Sequence, residues 1–111
     1  RDYRSSRGLG YVYKRQIYDG IESKNPLAWP YHANKTLLQG LPPHAITVNE
    51  LDPLRDEGII FSEKLNHAGV NVRMKIIKGT VHAAENIFPL DIPLIHNQAI
   101  EDIKNFSYNL K

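Results

Sequence analysis

Two short segments in the second half of the chain have the hydrophobic pattern of β-strands. Residues 44–49 form a mostly apolar run that includes Ile46 and Val48 and has the length of a buried strand. Residues 71–78 alternate between apolar and polar positions, with Arg73 and Lys75 on the polar face. This alternation predicts a second strand that lies at or near the edge of a sheet.

Helical patterns follow both of these predicted strands. The first begins with acids suited to a helix N-terminus, Asp56 and Glu57, and it stops at Gly69. Its apolar stripe contains Phe61, Leu65 and Ala68, widened by Ile60. After a linker punctuated by Pro89 and Pro93, a final amphipathic helix is expected, with apolar residues at Ala99, Ile100, Ile103, Phe106 and Leu110. The order strand, helix, strand, helix predicts an α/β fold with a parallel sheet and flanking helices.

The N-terminal part of the chain shows neither the two-residue period of a strand nor the 3.6-residue period of a helix. Residues 1–16 are polar and basic, and the sequence S-S-R-G-L-G followed by V-Y-K-R-Q resembles an adapter-like leader of translated sequence assemblies. We therefore expect residues 1–16 to be a non-native or disordered leader, with the true protein continuing upstream. The next residues, up to Pro43, are rich in loop signals, and Asn34 is expected to cap a short helical turn that Gly40 ends.

Composition excludes several classes of protein. With 111 residues, 41% of them hydrophobic and 23% charged, the chain has the make-up of at most one ordinary globular domain. Its net charge of +2 is spread along the chain, which argues against a nucleic-acid partner. Without cysteine it has no disulfides or thiolate metal sites. No apolar run is long enough to span a membrane, and the N-terminus lacks the apolar core of a signal peptide. The sequence does not fix the compartment, and a cytoplasmic location is favoured.

Asp52 and His82 are the candidate functional residues, because each one directly follows a predicted strand. They are thirty residues apart, about the length of one βαβ unit. The strands of such a unit run parallel and are commonly neighbours, so both loops emerge at the carboxyl edge of the sheet. There a carboxylate can accept a hydrogen bond from Nδ1 of an imidazole whose Nε2 takes up a proton.

Each residue also has a simpler interpretation, since Asp-Pro often only forms a turn and a loop histidine is often only solvated. The other four histidines, at positions 32, 44, 67 and 96, fit the pairing less well. No histidine pair has the spacing of a metal site, so neither a metal nor a cofactor is predicted.

Four segments together resemble the C-terminal part of the hormone-sensitive-lipase-like esterases, nearest to the bacterial branch that includes brefeldin A esterase and the acetyl-hydrolases. The segments are L-P-P at 41–43, N-E-L-D-P-L-R-D-E-G at 49–58, A-G-V at 68–70 and G-T-V-H at 79–82. The resemblance covers about residues 25–110. It implies that residues 17–111 are the C-terminal strand-helix-strand-helix portion of an α/β-hydrolase catalytic domain, with Asp52 as triad acid and His82 as triad base.

The resemblance further implies a serine carboxylesterase that hydrolyses small, fairly apolar esters. Many relatives have glycine after this histidine, whereas here Ala83 follows. The nucleophile motif G-x-S-x-G and the oxyanion-hole motif are absent from the sequence. We therefore expect the isolated chain to be inactive and only marginally stable, and to need the missing N-terminal part of the same domain.

Two alternatives stay open at this point. The first is a non-catalytic ligand-binding domain, or degenerate hydrolase, that keeps the acid and the histidine. The second is a peptidase or amidase on the same fold. The oligomeric state is also left open.

Overall fold

The computed structural model describes residues 24–110. The chain divides into two units between Ala33 and Asn34. In the described part of the first unit, Asn25 forms a turn in which its Oδ1 accepts a hydrogen bond from the Leu27 N–H at 3.0 Å. A 3₁₀ turn at Pro30–His32 follows. The predicted leader at residues 1–16 lies outside the described residues.

The second unit contains the predicted strand-helix-strand-helix order with two further short helices. The elements are α1 (Lys35–Leu38), β1 (His44–Asn49), α2 (Arg55–His67), β2 (Val72–Ile77), α3 (Ala84–Ile87) and α4 (Pro93–Tyr108). The predicted cap of α1 is confirmed, since Asn34 Oδ1 accepts the Leu37 N–H at 3.0 Å. The short helix α3 was not predicted from the sequence. Pro93, which was assigned to the linker, is the first residue of α4. Proline is suited to this position because the N–H that it lacks would have no partner in the first turn of a helix.

The two strands pair in parallel as predicted. His44 lies opposite Val72 and Asn49 opposite Ile77, so both strands end at the same edge. The ladder continues beyond the strands: the Glu50 N–H donates to the Ile77 carbonyl at 3.0 Å. The two loops that leave this edge are therefore tied together at their first residues.

Helix α2 packs on the sheet and ends in a Schellman motif. The Val70 N–H donates to the Leu65 carbonyl at 3.0 Å across Gly69, whose φ is +81°. Leu65 is fully buried and Val70 is 4% exposed, which supplies the apolar contact that accompanies this motif. Burying a leucine contributes about 1.5–3 kcal/mol. Ile60 is 39% exposed, so the predicted widening of the stripe is wrong, and Ser62 is buried instead.

Helix α4 covers part of the polar face of β2. Lys75 forms an ion pair with Asp102 of α4, and the Arg73 guanidinium lies 5.9 Å from the centre of the Phe106 ring. The alternation that predicted an edge strand therefore reflects polar side chains that meet a helix as well as solvent.

Gly58 allows α2 to approach β1 closely. A Cβ built on Gly58 would lie 2.6 Å from Cγ1 of Val48, which is inside van der Waals contact. Val48 is 8% exposed and β-branched, so its methyl group has little freedom to move away. This glycine is therefore required by packing.

We predict that Gly58→Ala destabilises the fold by about 1–3 kcal/mol, the usual cost of overpacking. In an unconstrained helix the same change would stabilise by about 0.5–1 kcal/mol. Urea unfolding in a stabilising osmolyte measures the change, and Gly58→Ala combined with Val48→Ala should lose less than the sum of the two single variants. A stabilising effect of Gly58→Ala would show that the close contact is not restrictive.

Candidate active site

Asp52 sits in the turn that joins β1 to α2, and its carboxylate serves two partners. Oδ1 accepts the Leu54 N–H at 2.8 Å, which is the local hydrogen bond of an Asx turn. Oδ2 lies 2.6 Å from His82 Nδ1. The turn-forming role and the contact with the histidine therefore coexist in one side chain, each using a different oxygen.

His82 meets Asp52 with the ring nitrogen that the topology predicted. An ionised carboxylate can only accept, so Nδ1 carries the proton and Nε2 of the neutral ring keeps a free lone pair. The Asp52 side chain is 8% exposed and that of His82 is 63% exposed. Within residues 24–110, Nε2 makes no hydrogen bond, and the ring therefore presents a basic nitrogen at the surface of the described part of the chain. The contact is observed, whereas a catalytic role for the pair stays a prediction.

Electrostatics favour the ionised form of Asp52. The Leu54 N–H lowers the pKa of Asp52 below its ordinary value of 3.8, and the hydrogen bond with His82 lowers it further, while partial burial opposes both. At neutral pH the group is therefore a carboxylate, which accepts the hydrogen bond from His82 Nδ1.

Glu50 clamps the loop after β2. Its Oε2 accepts the Gly79 N–H at 2.8 Å, and its Oε1 pairs with the Lys78 ammonium at 3.1 Å. The hydrogen bond from Gly79, followed by that from Lys78, lowers the pKa of Glu50 below its ordinary 4.5. Its carbonyl accepts from Arg55 at 2.9 Å, so one residue joins both loops and the start of α2.

Asn49, Thr80 and Glu85 form a buried polar cluster around the segment that carries His82. The side-chain amide of Asn49 donates to Thr80 at 2.9 Å and to Glu85 at 2.8 Å, and it accepts the Ala83 N–H at 3.0 Å. Asn49, Thr80 and Glu85 are each no more than 9% exposed. The Glu85 carbonyl also accepts from His96 Nδ1 at 2.7 Å, which links α4 to the cluster. These contacts join residues far apart in the sequence and were not predicted, although Asn49 and Thr80 lie within the segments that carry the family resemblance.

Ala83 has a backbone conformation that normally calls for glycine. Its φ of 52° and ψ of 26° place it in the left-handed region, immediately before α3. Side chains with a Cβ pay about 1–2 kcal/mol there. Many members of the family that the sequence resembles have glycine at this position. Alanine here therefore introduces local backbone strain beside His82.

The remaining predicted residues lie in other positions. His44 Nδ1 donates to the Pro42 carbonyl at 2.6 Å, and His67 is in the last turn of α2. In the first unit, His32 packs edge-on against Tyr31. Asp56 and Glu57 lie in the first turn of α2, as predicted. Within residues 24–110, no three His, Asp or Glu side chains are grouped so that they could hold a metal ion.

Two clefts lie in the described part of the second unit. One of about 170 Å³ lies between the sheet and α4, and its lining includes Thr47, Lys75 and Ile103. Another is lined in part by Ile76 and Leu94. Neither cleft is lined by Asp52 or His82. None of the helices among residues 24–110 is long and apolar enough to cross a membrane.

Comparison with known proteins gives the family. A profile described as the alpha/beta hydrolase fold matches residues 3–86, which is most of the chain. The chain belongs to the alpha/beta hydrolase fold family. A solved structure described as brefeldin A esterase, a bacterial homologue of human hormone sensitive lipase, superposes with a TM-score of 0.84 and 39% sequence identity, covering 93% of this chain and 28% of that one. The predicted fold class and family resemblance are thereby confirmed.

Other members of the family are similar over shorter stretches. Hormone-sensitive lipase of Mus musculus is 32% identical over 79 residues, which are 71% of this chain and 10% of the lipase. Carboxylesterase NlhH of Mycobacterium tuberculosis is 45% identical over 56 residues, 50% of this chain and 17% of the esterase. This alpha/beta hydrolase is thus carboxylesterase- and lipase-like, and it spans about a quarter or less of the length of the curated relatives it matches.

We predict that Ala83→Gly stabilises the protein by about 0.5–1 kcal/mol, because relief of the left-handed strain outweighs the added entropy of the unfolded chain. Urea unfolding measures the gain. Ala84→Gly is the matched control one residue along the chain, and it should lose about 1 kcal/mol because that residue is helical and buried. Equal losses in both variants would mean that Ala83 is not strained.

A second prediction concerns the stability of the fold at acidic pH. Because the pKa values of Glu50 and Asp52 are lowered in the fold, their stabilisation is present above the ordinary values of 4.5 and 3.8 and is lost as the pH falls through the lowered values. The free energy of unfolding should therefore fall as the pH drops below about 4.5. Urea titrations between pH 6 and about 3 test this. Glu50→Gln should flatten the slope, and Glu63→Gln, on the exposed side of α2, controls for losing one carboxylate. An unchanged slope in Glu50→Gln would contradict the clamp.

Proposed function

We propose that this alpha/beta hydrolase supplies the acid and the base of a serine carboxylesterase that hydrolyses small, fairly apolar carboxylic esters. The observation that carries the proposal is the contact between Asp52 Oδ2 and His82 Nδ1, 2.6 Å apart at the carboxyl ends of two paired parallel strands. Ligands of open α/β sheets bind at this edge.

His82 acts first as general base and then as general acid. Its Nε2 takes the proton of a serine hydroxyl while the serine oxygen bonds to the ester carbonyl carbon. It then returns that proton to the departing alkoxide, which leaves as the alcohol and yields an acyl-enzyme. Water attacks the acyl-enzyme by the same proton transfers and releases the carboxylic acid. Throughout, Asp52 holds the tautomer and stabilises the imidazolium.

The nucleophile of this proposal comes from a region upstream of the site. None of the five serines of the chain lies in a G-x-S-x-G sequence, and Ser62 is buried in α2, where its hydroxyl donates to the Ile59 carbonyl. Without a nucleophile and oxyanion donors, an acid-histidine pair gives little rate acceleration. We therefore propose that residues 17–111 are the C-terminal part of the catalytic domain and that the isolated chain is inactive.

The preference for apolar esters has support from the surroundings of the dyad. Three exposed apolar side chains lie within two residues of Asp52 or His82 in the sequence: Leu51 is 61% exposed, Leu54 55% and Val81 50%. An apolar rim of this kind lowers the cost of bringing an ester's acyl or alcohol group to the edge of the sheet. The relatives, a lipase, a carboxylesterase and an esterase by name, also favour an ester over an amide.

The prediction is tested on the chain joined to its upstream coding region. The joined protein should hydrolyse p-nitrophenyl acetate, and the chain alone should not. His82→Ala should reduce kcat/KM by at least about 10⁴-fold, the usual effect of losing a triad member. His67→Ala is the matched control, since it removes a histidine from the last turn of α2 and should leave the rate unchanged.

Three results would redirect the assignment. Ester hydrolysis that survives His82→Ala would exclude this histidine as the base. Binding of p-nitrophenyl acetate without turnover by the joined protein would favour the ligand-binding alternative. Faster cleavage of p-nitroacetanilide, which carries the same acyl group on an amide, would favour an amidase.

A further inference from the structure

Asn49, the last residue of β1, contacts the loop of His82 on both sides of the histidine. Its Nδ2 donates to Thr80 Oγ1 and to Glu85 Oε2, and its Oδ1 accepts the Ala83 N–H. The three partners therefore lie two residues before His82, one after it and three after it. The side chain is 4% exposed, so these bonds are shielded from water.

The partners of Asn49 require an amide at this position. The Thr80 hydroxyl donates its own hydrogen to the Ile77 carbonyl at 2.8 Å, so Thr80 can only accept from Asn49. The Ala83 N–H can only donate, which assigns Oδ1 to that side. Residue 49 must therefore present two donors and one acceptor. A carboxylate would lose both donors and would place a second acid against Glu85, and an apolar side chain would leave buried polar groups without partners.

The same residue also shapes the loop of the acid. The Asp52 N–H donates to the Asn49 carbonyl at 3.2 Å, which closes the turn on which Asp52 sits. The main chain of Asn49 thus holds the turn of Asp52, and its side chain holds the turn of His82. The bond to the Ala83 N–H also anchors the residue whose left-handed backbone directs the chain away from His82 into α3.

We propose that Asn49 is a positioning residue that, with Glu85, keeps His82 Nδ1 on Asp52; this inference rests on the function proposed above. Asn49 touches neither reacting atom of the dyad. Its effect is to limit the motion of a loop whose histidine is otherwise largely exposed. Without it, the Asp52–His82 bond should form in only a fraction of molecules.

The first test observes the hydrogen bond directly in the 111-residue chain. Nuclear magnetic resonance of ¹⁵N-histidine-labelled protein, in a stabilising osmolyte, follows the His82 Nδ1 proton, with Asp52→Ala as the reference for a lost acceptor. Asn49→Asp should speed exchange of this proton with water about five- to tenfold, which corresponds to the net free energy that one hydrogen bond contributes. Leu38→Ala is the control for general destabilisation, because it empties a buried site in α1 and should leave the proton unchanged.

A compensating pair of variants separates positioning from loss of stability. Glu85→Gln alone should have little effect, since the new amide oxygen can still accept from Asn49. Added to Asn49→Asp, it should restore part of the slow exchange, because the new amide can donate to the new carboxylate and the Ala83 N–H keeps its acceptor, while Thr80 Oγ1 still lacks the donor that Asn49 supplied. Rescue of this kind is non-additive by design. If the Nδ1 proton exchanges as fast in the double variant as in Asn49→Asp alone, the proposed role of Glu85 is wrong.

The second test measures kinetics in the chain joined to its upstream region. Asn49→Asp should lower kcat for p-nitrophenyl acetate about tenfold while KM stays within twofold, because orientation of the base is lost and ester binding is not. The double variant should recover part of kcat. If Asn49→Asp matches Leu38→Ala in both proton exchange and kcat, the inference is wrong although the proposed function stands. If the wild-type chain shows no Asp52-dependent Nδ1 proton and His82→Ala keeps full activity, the proposed function itself is wrong.

Discussion

The parallel pairing of β1 and β2 is the constraint on which the rest of this structure depends. Because Asn49 lies opposite Ile77, both strands end at one level and their loops leave the sheet side by side. The ladder continues into the loops, where the Leu51 N–H donates to the Thr80 carbonyl at 2.9 Å. A shift of one residue in this register would turn Asn49 to the opposite face and separate it from its partners after β2.

Around this edge, single side chains hold two elements at once. Asp52 uses one oxygen to shape its own turn and the other to hold His82. Glu50 joins the end of β1 to Gly79, and Asn49 joins it to the segment from Thr80 to Glu85. Such shared hydrogen bonds lose more than one contact when a residue is changed, because the partners become unsatisfied together. The loop of His82 is thereby joined to the end of β1 by several hydrogen bonds although its imidazole is exposed.

The chain is thus a carboxylesterase- and lipase-like alpha/beta hydrolase segment in which the acid and the histidine of the proposed triad are already assembled. Their assembly needs only one βαβ unit, since both residues lie at the ends of its strands. Exposed apolar residues beside the dyad, among them Leu51 and Val81, are suited to contact with an ester or with another part of the same domain. The geometry of the pair is local, whereas ester hydrolysis requires groups that this unit does not contain.

Hydrophobic periodicity determined the order of the elements, because the periods of strand and helix are properties of local sequence. It also located Asp52 and His82 through their positions after the two strands. The local pattern did not predict α3, because this helix is a single turn and contains no full hydrophobic period. It also assigned Pro93 to the linker, since proline can either end a linker or begin a helix.

The tertiary structure alone decided the packing and the polar cluster. Gly58 is required by Val48 ten residues earlier, and Asn49 finds Glu85 thirty-six residues later, so neither relation is visible in a local pattern. Hydrophobic periodicity predicts the order of the strands and the positions of the loops. The hydrogen-bond partners of a buried amide depend instead on which residues, distant in sequence, pack around it. That is why the acid and the histidine were predictable from the sequence and the residue that holds both of their turns was not.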